Sequence, residues 1–124
     1  MTTVLVIEDD DRNRKLARDV LGAAGFLMLE AATAEEGIAL ARERLPDVIL
    51  ADLRLPDMGG AAAARILKDD ETTARIPVVV MSALSLEGSD DWLEASGFAG
   101  VIEKPISVHG FPEEVRRYCT NPPP

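Results

Sequence analysis

Short apolar runs alternate with amphipathic segments along most of the chain. The runs are rich in aliphatic and β-branched side chains and lie at residues 4–7, 27–31, 48–51 and 78–81, with a shorter one at Val101 and Ile102. Runs that stay apolar at successive positions are typical of strands buried on both faces of a sheet. The pattern therefore predicts five short strands in a sheet that is covered on both sides.

Segments with helical spacing separate these runs. After the first run, apolar side chains recur on one helix face at Leu16, Ala17, Val20, Leu21 and Ala24. Gly25 suits the left-handed end of that helix. Thr33, with Glu36 three positions later, resembles the capping box that begins a helix. We expect this second helix to run to about Arg44, because Pro46 cannot continue it.

Three more helices are expected after the later strands. One contains Ile66 and Leu67, and another contains Trp92 and Leu93. In the last one, a proline inside the helix would clash with the preceding turn. We therefore expect a short helix that starts near Pro112, where the missing N–H costs nothing.

The regular alternation of strands and helices indicates an α/β fold. Parallel strands need crossover connections, which are usually helices, and five such units fit a chain of 124 residues. We predict a doubly wound, five-stranded parallel sheet with helices on both faces. In open sheets of this kind the ligand crevice lies at the carboxyl ends of the strands. The polar residues that follow each strand are therefore the candidates for chemistry.

Length and composition fit one domain without covalent staples. A chain of 124 residues with 47% hydrophobic content can fill one core. We expect residues 1–119 to form this domain and the proline-rich residues 120–124 to be a flexible tail or linker stub. Cys119 is the only cysteine and the start of the chain does not resemble a secretory signal, so we expect a cytoplasmic protein.

The chain is acidic, with 22 acidic and 13 basic residues and a formal net charge of -9 at pH 7. Such a charge repels nucleic acid phosphates and anionic lipid. We therefore expect no direct contact with nucleic acid or membrane, and protein partners that present cationic surfaces.

Polar residues follow the predicted strands at the edge where the crevice is expected. They are Glu8, Asp9 and Asp10 after the first strand, Asp52 after the third, Ser82 after the fourth and Lys104 after the fifth. Carboxylates about 5 Å apart repel by about 3 kcal/mol per pair at an effective dielectric of about 20. A cation is needed to hold them together, and oxygen ligands partly open to water suit Mg²⁺, which a phosphate oxygen commonly completes. The site therefore indicates phosphoryl chemistry.

Taken in order, these residues resemble the pattern of response-regulator receiver domains, also called CheY-like domains. The pattern consists of the acids after the first strand, Asp52 followed by Leu-Arg-Leu-Pro-Asp-Met-Gly-Gly, Ser82 with Ala83, and Lys104 with Pro105. It extends to about Tyr118 and is most similar to stand-alone receivers of the cell-cycle and chemotaxis type. The resemblance implies a flavodoxin-like (βα)5 fold with strand order 2-1-3-4-5.

The resemblance also implies a phosphoacceptor in a two-component or phosphorelay system. Asp52 would be the nucleophile that takes a phosphoryl group from a histidine kinase or phosphotransfer protein, forming an acyl phosphate. Lys104 would pair with the phosphoryl oxygens, and Ser82 would hydrogen-bond to them.

A magnesium ion belongs to the implied site. Asp9 and Asp52 would ligate Mg²⁺ directly, Glu8 would act largely through water, and the backbone carbonyl of Arg54 would complete the protein ligands. Oxygen ligands of these kinds are the ones that Mg²⁺ prefers.

Receiver domains of this kind are signalling switches rather than enzymes. In the family, phosphorylation draws the loop after the fourth strand inward and reshapes the face of the fourth helix, fifth strand and fifth helix, which a downstream protein binds. Val101 occupies a position, three before the lysine, where the family often has an aromatic residue. We therefore expect the coupling to depend on Ser82 and the loop at residues 83–88. We expect a monomer, with a phosphorylation-dependent dimer as the alternative.

The side chains at positions 54 and 84 predict a long-lived phosphorylated state. Arg54 lies two positions after Asp52, and Leu84 lies two positions after Ser82. In the family these positions flank that line, so a bulky cation and an apolar side chain there favour slow self-dephosphorylation.

Other functions fit the same residues less well. A phosphatase with an aspartyl-phosphate intermediate would need a second acid where Arg54 stands. A flavin-binding electron carrier of the same topology would need a hydroxyl-rich phosphate loop after the first strand, where the acids at residues 8–11 would repel the phosphate. A pseudo-receiver that cannot accept phosphate would lack one of the pocket residues, and none is missing.

Several polar and aromatic residues have plainer interpretations. Asp10 and Asp11 are expected at a helix start, where acids are favoured, and Asp57 is expected in a turn rather than as a ligand. His109 has no second metal ligand nearby in sequence and is not expected to accept phosphate. Trp92 cannot easily be buried together with its neighbour in a short amphipathic helix, so it is a candidate for partner contact.

Overall fold

The computed structural model describes residues 2–83, 90–104, 106 and 108–119. Five strands alternate with five helices along the chain. In order these elements are β1 (Thr3–Ile7), α1 (Asp11–Ala23), β2 (Leu27–Ala31), α2 (Ala34–Arg44), β3 (Val48–Asp52), α3 (Gly60–Asp69), β4 (Val78–Ser82), α4 (Asp90–Ala95), β5 (Gly100–Glu103) and α5 (Phe111–Tyr118). The predicted alternation is therefore confirmed, and the bounds agree with the apolar runs to within one or two residues.

The five strands form one parallel sheet in the order β2-β1-β3-β4-β5. β1 lies inside the sheet, where Val4 pairs with Met28 of β2 on one side and with Val48 of β3 on the other. The chain adds β2 on one side of β1 and then adds β3, β4 and β5 on the other side, so the strand order reverses at β1. β1 and β3 are adjacent parallel strands, and their carboxyl ends are therefore neighbours. The flavodoxin-like topology predicted for the chain is confirmed, and the switch point falls beside these two strand ends.

Side chains that alternate along each strand fill two separate cores. On one face, Leu5 and Ile7 of β1 pack with residues of α2, α3 and α4, including Leu67. On the other face, Val4 and Val6 pack with residues of α1 and α5. Because successive strand side chains point to opposite faces, a run that is apolar at every position is what two helical layers require.

Most helix ends follow the local signals in the sequence. Gly25 has a φ of 98°, the left-handed conformation predicted for the residue after α1. The Thr33 side chain accepts a hydrogen bond from the Glu36 backbone N–H at 3.1 Å and begins α2. α5 begins at Phe111, with Pro112 in its first turn, as expected for a proline that lacks a donor.

Gly37 provides a test of how tightly α2 packs against β1. A Cβ atom at Gly37 would lie 2.4 Å from Cδ1 and 2.6 Å from Cγ1 of the buried Ile7 side chain, so Gly37→Ala must displace that side chain within the core. We expect a loss of about 1–2 kcal/mol in the free energy of unfolding, because overpacking outweighs the helix propensity gained. Denaturant unfolding measures the change.

Gly22 in α1 is the matched control, since a Cβ atom there would meet nothing within 4 Å. We expect Gly22→Ala to leave stability unchanged or to raise it by up to about 1 kcal/mol. Equal effects of the two substitutions would contradict the tight contact at Gly37.

Candidate functional site

Three carboxylates converge where β1 and β3 end. Glu8 and Asp9 directly follow β1, and Asp52 is the last residue of β3. One oxygen of each carboxylate can be chosen so that all three lie within 4.8 Å of one another. The switch in strand order brings these residues together, because adjacent parallel strands end at the same edge of the sheet.

Lys104 joins two of these carboxylates across the sheet. Its Nζ donates hydrogen bonds to Glu8 Oε1 at 2.6 Å and to Asp52 Oδ2 at 3.0 Å. Glu8 is only 1% exposed, so its charge has little water to stabilise it. A single ammonium group therefore bridges a pair of carboxylates that come from strands far apart in the sequence.

The electrostatics of the cluster distinguish its two buried acids. Burial raises the pKa of Glu8 to about 7, and a hydrogen bond with Asp52 adds to the rise, whereas Lys104 lowers it. Burial acts in the same direction on Asp52, but hydrogen bonds with Glu8 and Lys104 outweigh it and lower the pKa of Asp52. Of the two carboxyl groups, Glu8 is therefore the one that takes up a proton as the pH falls through about 7, while Asp52 stays ionised.

Lys104 remains a cation in this arrangement. Burial on its own would lower its pKa, but hydrogen bonds to Glu8 and Asp52 outweigh that effect and raise it. An ionised carboxylate with a fixed ammonium group 3.0 Å away suits a nucleophile that must receive a negatively charged group.

A pocket of about 340 Å³ opens above the cluster. It is lined by Asp9, Asp52, Leu53, Arg54, Ser82, Ala83 and Lys104. Ser82 is the last residue of β4, and its carbonyl accepts a hydrogen bond from the Lys104 backbone N–H at 2.8 Å, which fixes the end of β4 against that of β5. The backbone N–H of Arg54 donates to Asp52 Oδ1 at 3.3 Å. Four strand ends therefore contribute to one pocket.

The donor set fits a hard divalent cation. Its three carboxylates lie within reach of one ion, and Asp9 and Asp52 also line the open pocket, where water or a phosphate oxygen can complete a shell. Oxygen donors with positions left to water are the environment that Mg²⁺ prefers. In the part of the chain that the structure describes, this is the one group of three or more acidic, histidine or cysteine residues arranged to hold a metal ion.

Neighbouring acids lie outside this group, as their sequence context predicts. Asp10 is the N-cap of α1, where its carboxylate accepts hydrogen bonds from the backbone N–H groups of Arg12 and Asn13. Asp11 lies in the first turn of α1 and pairs with Arg14 at 2.5 Å. Both have a structural role in starting α1.

Asp57 has a contact that the sequence did not indicate. Its carboxylate accepts hydrogen bonds from the backbone N–H groups of Ala34 and Glu35, both at 2.9 Å. These bonds lower its pKa. Asp57 therefore lies in the turn that its Pro-Asp context predicts, but it also caps α2 from a different loop.

The structure describes two of the residues, Trp92 and Val101, that the sequence indicated for the output face. Trp92 is 40% exposed while Leu93 is 8% exposed, so the two neighbours are not buried together. The Trp92 ring contacts the Phe98 ring at a centroid distance of 5.8 Å. Val101 is partly buried in β5. Leu84, most of the loop at residues 83–88, Pro105 and the tail at residues 120–124 lie outside the described residues.

Comparisons with known proteins agree with the fold and show the family. The sequence model of the family described as "Response regulator receiver domain" matches residues 4–116. The chain therefore belongs to the response-regulator receiver family, whose members are signalling switches.

Two curated response regulators and a solved structure are similar to the chain over nearly all of its length. The polar-differentiation response regulator DivK of Brucella ovis is 37% identical over 116 residues, which cover 94% of each chain. DivK of Brucella anthropi is 36% identical over the same length. A structure of the chemotaxis response regulator CheY4 of Vibrio cholerae has a TM-score of 0.89 at 23% identity, covering 95% of this chain and 98% of the other.

A second solved structure concerns the metal. The receiver domain of a sensor histidine kinase from Pseudomonas aeruginosa PAO1 has a TM-score of 0.84 at 24% identity, covering 94% of this chain and 96% of the other. It is described as having a magnesium ion coordinated in its active site cleft.

Among the described residues, no helix has both the length and the apolar composition needed to cross a bilayer.

Proposed function

We propose that the chain accepts a phosphoryl group on Asp52 and signals in that state through protein contact. The observation that carries this proposal is the position of Lys104 Nζ, 3.0 Å from Asp52 Oδ2 inside a pocket that also contains Ser82. A fixed cation beside an ionised carboxylate stabilises the negative charge that arrives with a phosphoryl group. Membership of the receiver family supports the same assignment.

The transfer uses groups that the pocket already contains. An oxygen of Asp52 forms a bond to phosphorus while the P–N bond of a phosphohistidine in a kinase or phosphotransfer protein breaks, and the leaving imidazole takes up a proton. Lys104 pairs with the phosphoryl oxygens, and Ser82 hydrogen-bonds to them. These two residues position the group and balance its charge.

Mg²⁺ fits the proposed site. Asp9 and Asp52 would ligate it directly, Glu8 would act largely through water, and the backbone carbonyl of Arg54 would provide a further ligand. When bound, the ion neutralises charge on the transferring phosphoryl oxygens. The acidic cluster and the magnesium ion described for the Pseudomonas receiver domain support this assignment.

The output follows from the position of the pocket. Ser82 and Lys104 adjoin β4 and β5, so a change there can reach the surface of α4, β5 and α5, which we propose as the face for a downstream protein. Trp92 in α4 is exposed and is the proposed contact residue on this face. We propose residues 1–119 as the receiver unit, with residues 120–124 as a tail or linker stub. We propose that it acts in the cytoplasm as a monomer, with a phosphorylation-dependent dimer as the alternative.

Intact-mass measurement tests the phosphoacceptor. Incubation with Mg²⁺ and a small-molecule phosphodonor is expected to add one phosphoryl group to the wild-type chain and none to Asp52→Asn. Removal of Mg²⁺ with a chelator is expected to suppress the reaction in the wild type. Asp10→Asn is the matched control, because Asp10 caps α1 and lies outside the three-acid cluster. This variant should gain one phosphoryl group, as the wild type does.

Undiminished phosphorylation of Asp52→Asn would overturn the proposal.

The phosphorylated samples, freed of phosphodonor, give the rate at which the phosphoryl group is lost. We expect this loss to be slow, because the bulky Arg54 lines the pocket through which water must approach. Faster loss in the wild type than in Arg54→Asn would contradict that expectation.

A further inference from the structure

The loop that follows the proposed phosphoacceptor is fastened to a distant helix by one side chain. Asp57 Oδ1 accepts from the Ala34 N–H, and Asp57 Oδ2 accepts from the Glu35 N–H, each at 2.9 Å. These are the first two N–H groups of α2, which have no partner within the helix. Thr33 bonds the third, at Glu36, so the cap of α2 is divided between its own N-cap and the β3–α3 loop.

The other end of that loop is closed tightly under the pocket. The Gly60 N–H donates to the Leu53 carbonyl at 2.8 Å, and the backbone of Arg54 bridges that of Gly59 in antiparallel fashion. A Cβ atom at Gly60 would lie 2.4 Å from the Asp52 carbonyl oxygen, so this close approach of the loop base to the end of β3 requires glycine. The loop thus has its base beside Asp52, apolar packing of Leu55 and Met58 against the core, and a polar attachment to α2 at Asp57.

Asp57 has the chemistry of a firm attachment. Each oxygen of its carboxylate bonds one N–H group of a helix N-terminus, where the partial positive charge favours an anion. The lowered pKa of Asp57 keeps it ionised for this contact over the neutral pH range. Asp57 itself is exposed and is not part of the three-acid cluster, so its role is carried through the loop.

We propose that Asp57 is a positioning residue, which holds the β3–α3 loop against α2 and thereby sets the backbone of Arg54 for Mg²⁺ in the pocket. This inference rests on the proposed function, because it concerns the same metal site. Outer groups that orient metal ligands typically contribute 10–100-fold to affinity. Because the coupling is reciprocal, Mg²⁺ in the pocket is also expected to slow amide exchange at Ala34 and Glu35.

A pair of variants separates positioning from helix capping. Asp57→Ala removes the two hydrogen bonds that attach the β3–α3 loop to α2. Thr33→Ala also removes a capping bond of α2 but leaves the loop attached. Mg²⁺ affinity is measured by following backbone amide shifts during titration with MgCl₂. We expect Asp57→Ala to weaken binding by about 10-fold and Thr33→Ala to change it less than about 2-fold. Asp57→Asn, which keeps the shape and one acceptor, should lie between them.

Amide hydrogen exchange in metal-free protein provides a second measurement. We expect the Gly60 N–H, which closes the loop base, to exchange several-fold faster in Asp57→Ala than in Thr33→Ala. Equal Mg²⁺ affinity and equal Gly60 exchange in the two variants, with a wild type that binds Mg²⁺, would overturn the inference and leave the proposed function standing. A wild type that neither binds Mg²⁺ nor accepts phosphate would overturn both.

Discussion

Glu8→Gln is expected to raise the free energy of unfolding of the metal-free protein by about 2 kcal/mol at pH 8. Glu8 is 1% exposed and its carboxylate lies within 4.8 Å of those of Asp9 and Asp52. Like charges at such a distance repel by about 3 kcal/mol per pair at an effective dielectric of about 20, and attraction to Lys104 offsets part of this. A neutral amide keeps the size of the side chain and can still accept from Lys104.

The pH dependence of this difference follows from the raised pKa of Glu8. Its value of about 7 in the folded protein exceeds the ordinary value of 4.5, so the folded state binds this proton more tightly than the unfolded state. The stability that Glu8 contributes is complete below about pH 4.5 and is lost as the pH rises through about 7. The difference between Glu8→Gln and wild type should therefore appear above about pH 5 and level off above about pH 7.

Denaturant unfolding between pH 5 and pH 8, with and without Mg²⁺, measures this effect. Saturating Mg²⁺ is expected to stabilise the wild type more than Glu8→Gln, since the variant binds the ion less tightly. Glu71→Gln, at an exposed acid outside the cluster, is the matched control and should change stability by less than about 0.5 kcal/mol. A Glu8→Gln protein that is less stable than wild type at pH 8 would show that the cluster is not repulsive.

Lys104→Met is expected to lower the free energy of unfolding by about 3 kcal/mol at pH 8. Lys104 Nζ bonds both Glu8 and Asp52, and its loss leaves two largely buried carboxylates without their cation. Removing one partner of a buried ion pair typically costs about 3–5 kcal/mol. We expect the lower end of that range, because Lys104 retains some exposure and Glu8 can take up a proton when the ammonium group is gone.

A double-mutant cycle tests the origin of this loss. In the Glu8→Gln background, Lys104→Met is expected to cost about 2 kcal/mol less, because one of the two charges it leaves unpaired is already absent. Lys15→Met is the matched control, since the Lys15 ion pair with Asp19 is exposed and should contribute less than about 0.5 kcal/mol. A cycle with no coupling between positions 8 and 104 would contradict the contact that joins the strand ends.

The site could be predicted from the sequence because its chemistry follows a rule of topology. Strands that are apolar at every position must lie inside a parallel sheet, and the residue after each such strand must lie at one edge. This reasoning placed Glu8, Asp9, Asp52, Ser82 and Lys104 together without any knowledge of contacts, and the structure brings all five to the same cluster or pocket. The strand bounds were predicted less well, since Asp52 and Ser82 are the last residues of their strands and do not follow them. Strand and helix ends commonly differ by one or two residues between assignments.

The cap on α2 could not be predicted in the same way. Thr33 and Glu36 are close in sequence, so a local motif indicates their bond. Asp57 lies 22 and 23 positions from its partners Glu35 and Ala34, and its Pro-Asp context indicates only a turn. A bond of this kind depends on where the β3–α3 loop lies relative to α2, which packing of the whole sheet decides.

The pairing of Lys104 illustrates a second limit. The sequence predicts a lysine beside a phosphoryl group, but it does not indicate what the ammonium group contacts otherwise. In the structure Lys104 bonds Glu8 at 2.6 Å, shorter than its bond to Asp52 at 3.0 Å. Neither this contact nor the burial of Glu8 follows from the positions of the strand ends in the sequence.

Identification of the phosphorylated residue tests the central claim most directly. Borohydride reduces an aspartyl phosphate to homoserine, with release of phosphate, so treatment of the phosphorylated protein followed by peptide mapping reports the modified position. We predict homoserine at position 52 and at no other aspartate. Homoserine at a different position, or a phosphoryl group on His109, would contradict an account in which four strand ends prepare Asp52 to accept phosphate.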